Sequence, residues 1–180
     1  MNRFSLKYFI LAGLLFSISN LHSQVLSFHH GEVEFYTETV MSDIEAVTKS
    51  ADVKLDIQTG NFEATVNIQS FEFEYDVMQK HFNENHMESD KFPQATFKGK
   101  IVQNISNITK EVEADAFGIM TIHGVSNEIK IKVNIAEKEG YTVVNCKIPI
   151  VFEDYKVKEP SILSKSVAKD VLIKVSVYLK

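Results

Sequence analysis

Histidines are the side chains in this sequence best suited to bind a metal ion, but their spacing does not build a site. His81 and His86 are five residues apart. On a helix this spacing corresponds to a rotation of about 140°, so the two rings do not share a face as a pair at i and i+4 does. His29, His30 and His123 lie elsewhere along the chain. The sequence therefore predicts no metal site.

Patterns for catalysis, nucleotide binding or nucleic-acid binding are also missing. The sequence contains no G-x-S-x-G turn, which carries the nucleophile of many hydrolases. It also contains neither G-x-x-x-x-G-K-[ST] nor G-x-G-x-x-G, the two glycine-rich motifs that bind nucleotide phosphates. With 19 basic and 24 acidic side chains the net charge is −5, which offers no basic face for nucleic acid. Cys146 is the single cysteine, so an intramolecular disulfide and a cysteine zinc cluster are excluded. Its apolar neighbours predict a buried, small hydrophobic residue. We expect no enzyme activity and no cofactor.

Phenylalanines are the remaining candidates, and they suit the burial of an apolar ligand. Six of the 13 lie between residues 62 and 97. One interpretation is a packed aromatic core. The other is the wall of a cavity, because a barrel of about eight strands is just wide enough to hold one ligand. The residues predicted to line such a cavity are Val66, Ile68, Phe71, Phe73, Met78, Phe82, Phe97, Phe117, Ile131 and Val133.

The elements that must position these side chains are mostly β-strands. Apolar residues alternate with polar ones through residues 62–69, 129–135 and 171–177, which is the pattern of half-buried antiparallel strands. Turn residues at 59–61 and 137–140 predict two hairpins. Eight or so strands with short connections indicate an antiparallel barrel, closed or nearly closed, or a sandwich.

Two irregularities interrupt this pattern. The alternation changes parity between Val66 and Tyr75, and a bulge near Gln69 and Ser70 would keep the apolar residues inward. Residues 76–86 shift to a period near 3.6, which predicts one short helix. Asp76 and the residue three positions after it match a capping box.

The first residues of the chain are typical of a secretory signal peptide. Arg3 and Lys7 precede the apolar run FILAGLLFSI at residues 9–18, which is too short for a spanning helix of ~20 residues. No cysteine follows that could carry a lipid anchor. We expect residues 1–23 to be removed and residues 24–180 to form one domain. The mature chain would be periplasmic or secreted, without stable membrane insertion.

A longer stretch resembles a known family. The segment FEFEYDVMQKHFNENHMESDKFPQATFKG at residues 71–99 is similar to the signature of the YceI-like family of secreted lipid-binding domains, of the type found in Bacteroidetes. The stretch TIHGV at residues 121–125 is a second, weaker match. The resemblance covers roughly residues 31–180. It implies a lipocalin-like antiparallel β-barrel whose apolar interior holds a polyisoprenoid.

The resulting expectation is a non-catalytic binding protein for a long apolar lipid. The alternative is a structural or stress-related envelope domain whose barrel is filled by its own side chains and binds no ligand. The composition leaves the oligomeric state open, with a homodimer as one possibility.

Overall fold

A computed structural model of the protein describes residues 24–38, 43–158 and 170–180. The predicted signal peptide, residues 1–23, lies outside the described residues. The strands are β1 (Val25–Thr37), β2 (Ile44–Thr48), β3 (Ala51–Asp56), β4 (Asn61–Asn67), β5 (Glu72–Phe73), β6 (Gln94–Ile101), β7 (Val112–Ile122), β8 (Val125–Lys138), β9 (Tyr141–Val151) and β10 (Asp170–Leu179), and the helix α1 spans Asp76–His81. Short 3-10 turns occupy Ile68–Ser70 and Phe152–Tyr155.

Eight of these strands close into an antiparallel barrel. Their order around the barrel is β1, β3, β4, β6, β7, β8, β9, β10, and β10 pairs with β1 to complete the circle. The two short strands β2 and β5 continue the sheet beyond β3 and β4 at one end. The predicted all-β barrel with one short helix is therefore confirmed, and the alternative of a sandwich is wrong. No helix among the described residues is long and apolar enough to cross a membrane.

Alternation along each strand separates the interior from the surface. In β8, Ile131 and Val133 are buried, whereas Lys130 and Lys132 beside them point outward. The predicted hairpins are both present, since β3 leads into β4 and β8 into β9 through tight turns. Gly60 and Gly140 take positive φ angles of 76° and 79° in these turns, a conformation that glycine adopts without strain.

The predicted parity change between β4 and β5 is produced by the 3-10 turn Ile68–Ser70. Seven positions separate Val66 from Phe73, whereas five separate their partners on the facing strands, Ala51 and Ala46. The turn thus inserts two residues, and both Ile68 within it and Phe71 directly after it are buried. The interruption lies where the sequence indicated it, as a turn rather than a bulge.

The helical segment occupies the predicted residues 76–86, although its details differ. After α1 the backbone widens into a π-helical turn at Phe82–His86, in which the amide of Met87 donates to the carbonyl of Phe82 at 2.8 Å. The predicted cap is wrong, because Tyr75 is the N-cap residue and makes no side-chain cap bond. Asp76 lies one position later, in the first turn, where a carboxylate still interacts favourably with the helix dipole.

Candidate functional site: an apolar cavity inside the barrel

The barrel interior contains a cavity of about 180 Å³. It extends from one end of the barrel to the other. We call the end that carries α1 the helix end, where Phe82, Met87 and Phe152 line the cavity. We call the opposite end, with the β3–β4 and β8–β9 hairpins and the connection at residues 102–111, the loop end. There the cavity is lined by Ile101 and Leu179, among others.

The cavity wall is apolar along its length. Thr96 is the one residue with a hydroxyl group among the described residues that line it. A buried water needs two to four polar partners, and its share of liquid volume is ~30 Å³. The cavity has room for several water molecules but supplies almost no partners for them. Its chemistry therefore suits an apolar occupant.

A cluster of aromatic rings closes the helix end. The ring of Phe82 lies 5.6 Å from that of Phe35, 6.0 Å from that of Phe71 and 4.9 Å from that of Phe73, measured between centroids. Phe152 stacks on Phe35 at 6.3 Å. Such spacings are within the favourable range for aromatic pairs. Phe82 is the central ring of this cluster, and the π-helical turn places it there.

Comparison with known sequences identifies the family. The profile of the YceI-like domain matches residues 16–179, which is nearly the entire chain. The chain belongs to the YceI-like domain family. No curated protein matches the sequence at a significant level.

Solved structures share the fold of this YceI-like chain at low sequence identity. BcnA of Burkholderia cenocepacia is 20% identical, with a TM-score of 0.69 over 82% of this chain and 95% of its own. A polyisoprenoid binding domain from Saccharophagus degradans, implicated in plant cell wall breakdown, is 13% identical, with a TM-score of 0.73 over 86% and 97%. The YceI protein of Campylobacter jejuni is 22% identical, with a TM-score of 0.54 over 73% and 81%.

Seven of the ten predicted lining residues face the cavity. They belong to three strands, the 3-10 turn with the residue after it, and the π-helical turn, and the fold brings them together around one space. They are Val66, Ile68, Phe71, Phe82, Phe97, Ile131 and Val133. Contact between these side chains and a ligand stays a prediction.

Three predicted residues do not line the cavity. Phe73 is a half-buried member of the aromatic cluster, where it packs on Phe82 without lining the cavity. Met78 is half-buried on α1, a helix that buries none of its residues. Phe117 is on the outer face of β7 and 45% exposed, because its neighbour Ala116 points inward and side chains alternate along a strand. The ammonium group of Lys130 lies 4.9 Å from the Phe117 ring centroid.

Sequence reasoning missed a large part of the opposite wall. Val33 and Phe35 from β1 line the cavity, as do Val171 and Ile173 from β10. A signal was available, because both segments alternate between apolar and polar residues. Closure of the barrel through the pairing of β1 with β10 directs these apolar faces to the same interior.

Cys146 also faces the cavity, from the middle of β9. Burial raises the pKa of its thiol to about 12, so the thiol is neutral at physiological pH. The side chain is half-buried rather than tightly packed, since it borders the open space. It forms part of an apolar wall, in keeping with the hydrophobic role that the sequence predicts.

The two stretches of the family resemblance meet at the helix end. The imidazole of His123 donates to Glu88 at 3.2 Å, and Lys91 donates to the same carboxylate at 2.6 Å. Hydrogen bonds from Lys91, which has the larger effect, and from His123 lower the pKa of Glu88. The rings of Phe92 and His123 lie 4.4 Å apart. These residues join the segment after the π-helical turn to the β7–β8 turn, which is a structural role.

The other described histidines are spread over the surface and do not meet at one place. His86 donates from Nδ1 to the carbonyl of Lys158 at 2.8 Å, while His81 is exposed on α1. The Nδ1 atoms of His29 and His30 lie 2.8 Å apart at the barrel surface. Within the described part of the chain, no group of three or more metal-ligating side chains comes together.

Proposed function

We propose that this YceI-like protein is a non-catalytic carrier that holds a long apolar lipid, of the polyisoprenoid class, inside its barrel. The observation that carries the proposal is the apolar cavity that the interior side chains leave open along the barrel. The alternative of a structural domain filled by its own side chains would have a packed interior at the density of other protein cores.

Hydrophobic burial would supply the binding energy. Each Å² of apolar surface removed from water contributes ~25 cal/mol, so a chain hiding a few hundred Å² gains several kcal/mol. The described residues that line the wall carry no charge, so a polar head would stay at an end of the barrel. An apolar wall discriminates weakly between chains that differ by a methylene or two. The structural relative from Saccharophagus degradans, named as a polyisoprenoid binding domain, supports this ligand class.

The signal-peptide pattern of residues 1–23 supports a periplasmic or secreted location. There the mature chain, residues 24–180, would bind its lipid without inserting stably into the membrane. N-terminal sequencing of the exported protein tests this part of the proposal. A chain that still begins with Met1 in that fraction would contradict it.

The decisive experiment is native mass spectrometry, with organic extraction, of the protein purified from its own host. We expect a co-purifying apolar lipid whose mass fits an isoprenoid chain. A protein that carries no lipid, and that also fails to bind added retinol (a fluorescent isoprenoid alcohol), would instead be the self-filled structural domain.

Two phenylalanines on neighbouring strands provide a matched test of the site. Phe97 on β6 points into the cavity and Phe117 on β7 points outward. Phe97→Ala should weaken retinol binding because it removes part of the wall, whereas Phe117→Ala should leave binding unchanged. In the wild type, bound retinol should also slow the reaction of Cys146 with an apolar thiol reagent, since both occupy the same space. Equal effects of the two substitutions would place the ligand elsewhere.

A further inference from the structure

The size of the cavity raises a question that the proposed function must answer. A protein cavity of ~150 Å³ accommodates benzene, and the cavity here measures about 180 Å³. A polyisoprenoid is several times larger than benzene. If the protein carries such a chain, as the proposed function states, one end of the barrel must open to admit it.

At the loop end, backbone bonds join neighbouring strands of the barrel wall right up to the connection at residues 102–111. The amide of Ile101 donates to the carbonyl of Gly60 at 2.9 Å, and the amide of Val102 donates to the carbonyl of Asp115 at 2.9 Å. Ile105, from the connection over this end, is buried beneath them at 4% exposure. Moving the connection at residues 102–111 away from this end would expose the buried side chain of Ile105 and break the bond from Val102 to Asp115.

The helix end is closed by a segment that is attached mainly through side chains. No residue of α1 is buried. Beyond α1, the apolar side chains of Phe82 and Met87 are buried. Among the described residues, His86 on the far side of the segment contacts the carbonyl of Lys158 in the connection after β9, and Glu88 contacts His123 in the β7–β8 turn. Release of this segment would leave the strand pairing of the barrel intact.

The base of the same segment is pinned. The amide of Ile68 donates to the carbonyl of Pro93 at 2.9 Å, and the side-chain amide of Gln69 donates to Asp90 at 3.0 Å. The chain leaves the barrel and returns to it between these contacts, so the two ends of the intervening segment are adjacent. Its π-helical turn is a feature that recurs at functional positions. We call residues 74–92, which follow β5, the flap.

We propose that the flap is the gate of the cavity and that Phe82 is its plug. When the flap swings outward about its pinned base, Phe82 leaves the rings of Phe35, Phe71 and Phe73. The apolar chain of the ligand then takes the place of Phe82. The exchange replaces one set of apolar contacts by another, so the aromatic cluster need not remain exposed to water in the loaded protein.

The experiment measures the rates of retinol binding and release by stopped-flow fluorescence. His86→Ala removes the contact with Lys158 from a half-buried position. His81→Ala, on the exposed surface of the same segment, is its control. We expect His86→Ala to raise both rates roughly fivefold, the effect of losing one ordinary hydrogen bond from the closed state. His81→Ala should leave both rates unchanged.

Two further variants compare the plug with the opposite end. Phe82→Leu shortens the plug while keeping an apolar side chain, and we expect it also to accelerate entry and release. Ile105→Ala makes a comparable change at the loop end and should alter neither rate. Acceleration by Ile105→Ala without acceleration by His86→Ala or Phe82→Leu would place the entrance at the loop end and overturn the proposal.

A small probe separates failure of the gate from failure of the carrier. Binding of fluorobenzene, followed by ¹⁹F NMR, requires the cavity but not its enlargement. If both fluorobenzene and retinol bind the wild type and neither His86→Ala nor Phe82→Leu changes the retinol rates, the gate alone is wrong. If fluorobenzene binds and retinol does not, the lipid-carrier function is wrong as well. If neither binds, the barrel is self-filled.

Discussion

The two ends of this barrel are closed by different kinds of interaction. At the loop end, paired backbone groups and almost fully buried aliphatic side chains such as Leu55 and Leu179 hold neighbouring strands together. At the helix end, aromatic rings from separate segments meet around Phe82. Neither α1 nor the π-helical turn that carries Phe82 pairs with a strand.

This difference separates permanent closure from closure that can be released. Backbone pairs in a barrel are lost only when strands come apart, so they open with the free energy of global unfolding. A segment with few buried side chains opens locally at lower cost. Amide hydrogen exchange should therefore be faster in residues 76–88 than in β3 and β10, and the following predictions compare the two ends directly.

The largest expected effect is at the loop end. Leu55→Ala removes a side chain that is only 2% exposed, and we expect a loss of about 2–5 kcal/mol in the free energy of unfolding. Phe73→Ala at the helix end removes a larger but half-buried side chain, and we expect about 1–2 kcal/mol. Urea denaturation measures both. Equal losses would mean that the two ends are held with similar strength.

Two glycines with similar backbone angles make a second comparison. Gly124 at the helix end has φ of +72°, and an added Cβ would lie 2.6 Å from Cε1 of Phe92. Gly140 at the loop end has φ of +79°, with no atom within 4 Å of such a Cβ. Left-handed backbone costs an L-residue about 1–2 kcal/mol, which is the loss expected for Gly140→Ala. Gly124→Ala adds the clash and should cost roughly 2–4 kcal/mol in total.

The contrast between these two glycines tests how the flap is anchored. If Gly124→Ala proves no worse than Gly140→Ala in thermal unfolding, Phe92 moves aside at little cost. The contact between the flap and the β7–β8 turn would then be looser than the ring distances indicate. A matched Phe92→Ala change in the Gly124→Ala background should recover part of the lost stability, because it removes the atom that clashes.

Substitutions at Cys146 test the cavity wall between the two ends of the barrel. Cys146→Ser would place a hydroxyl group against apolar surface, and we expect a loss of about 1–3 kcal/mol in stability. Cys146→Ala should retain the fold with a smaller loss. Thermal melting measures both changes. A wild type whose oligomeric state or melting temperature responds to a reducing agent would show a role for the thiol beyond the wall.

Regular alternation made the barrel predictable from the sequence. Apolar residues at every second position identify the strands, and the parity change at Ile68 marks the turn between β4 and β5. The helical period at residues 76–86 locates α1. Alternation alone cannot identify the inward face when both faces carry apolar residues. In β7, Phe117 points outward while the smaller Ala116 points inward, so size and hydrophobicity predicted the wrong face.

The site was harder to predict because it depends on contacts between distant segments. Phe35 and Phe152 join Phe82 through the closure of the barrel, and no local pattern records that closure. The π-helical turn was equally invisible, since its residues continue the helical period. Met78 shows the consequence. It shares the helical segment with Phe82, yet only Phe82 reaches the cavity.

The smallest expected effect is the pH dependence of the contact at Glu88. A hydrogen bond from Lys91, and with a smaller effect one from His123, lowers the pKa of this carboxyl below its ordinary value of 4.5. A carboxylate with a depressed pKa stabilises the folded state above its unfolded pKa, and this contribution is lost as the pH falls through the folded value. Attachment of the flap should therefore weaken in acid below about pH 4.5.

Glu88→Gln tests the pH dependence with a neutral side chain of the same shape. The difference in melting temperature between wild type and Glu88→Gln should be largest near neutral pH and should shrink as the carboxyl becomes protonated. Glu113→Gln, which changes an exposed partner of Lys132, is the control for removing one surface charge. Because the Glu88 contact joins the flap to the β7–β8 turn, Glu88→Gln should also quicken amide exchange in the flap, and Glu113→Gln should not. If both variants change flap exchange equally, overall charge rather than this contact determines how firmly the helix end is closed.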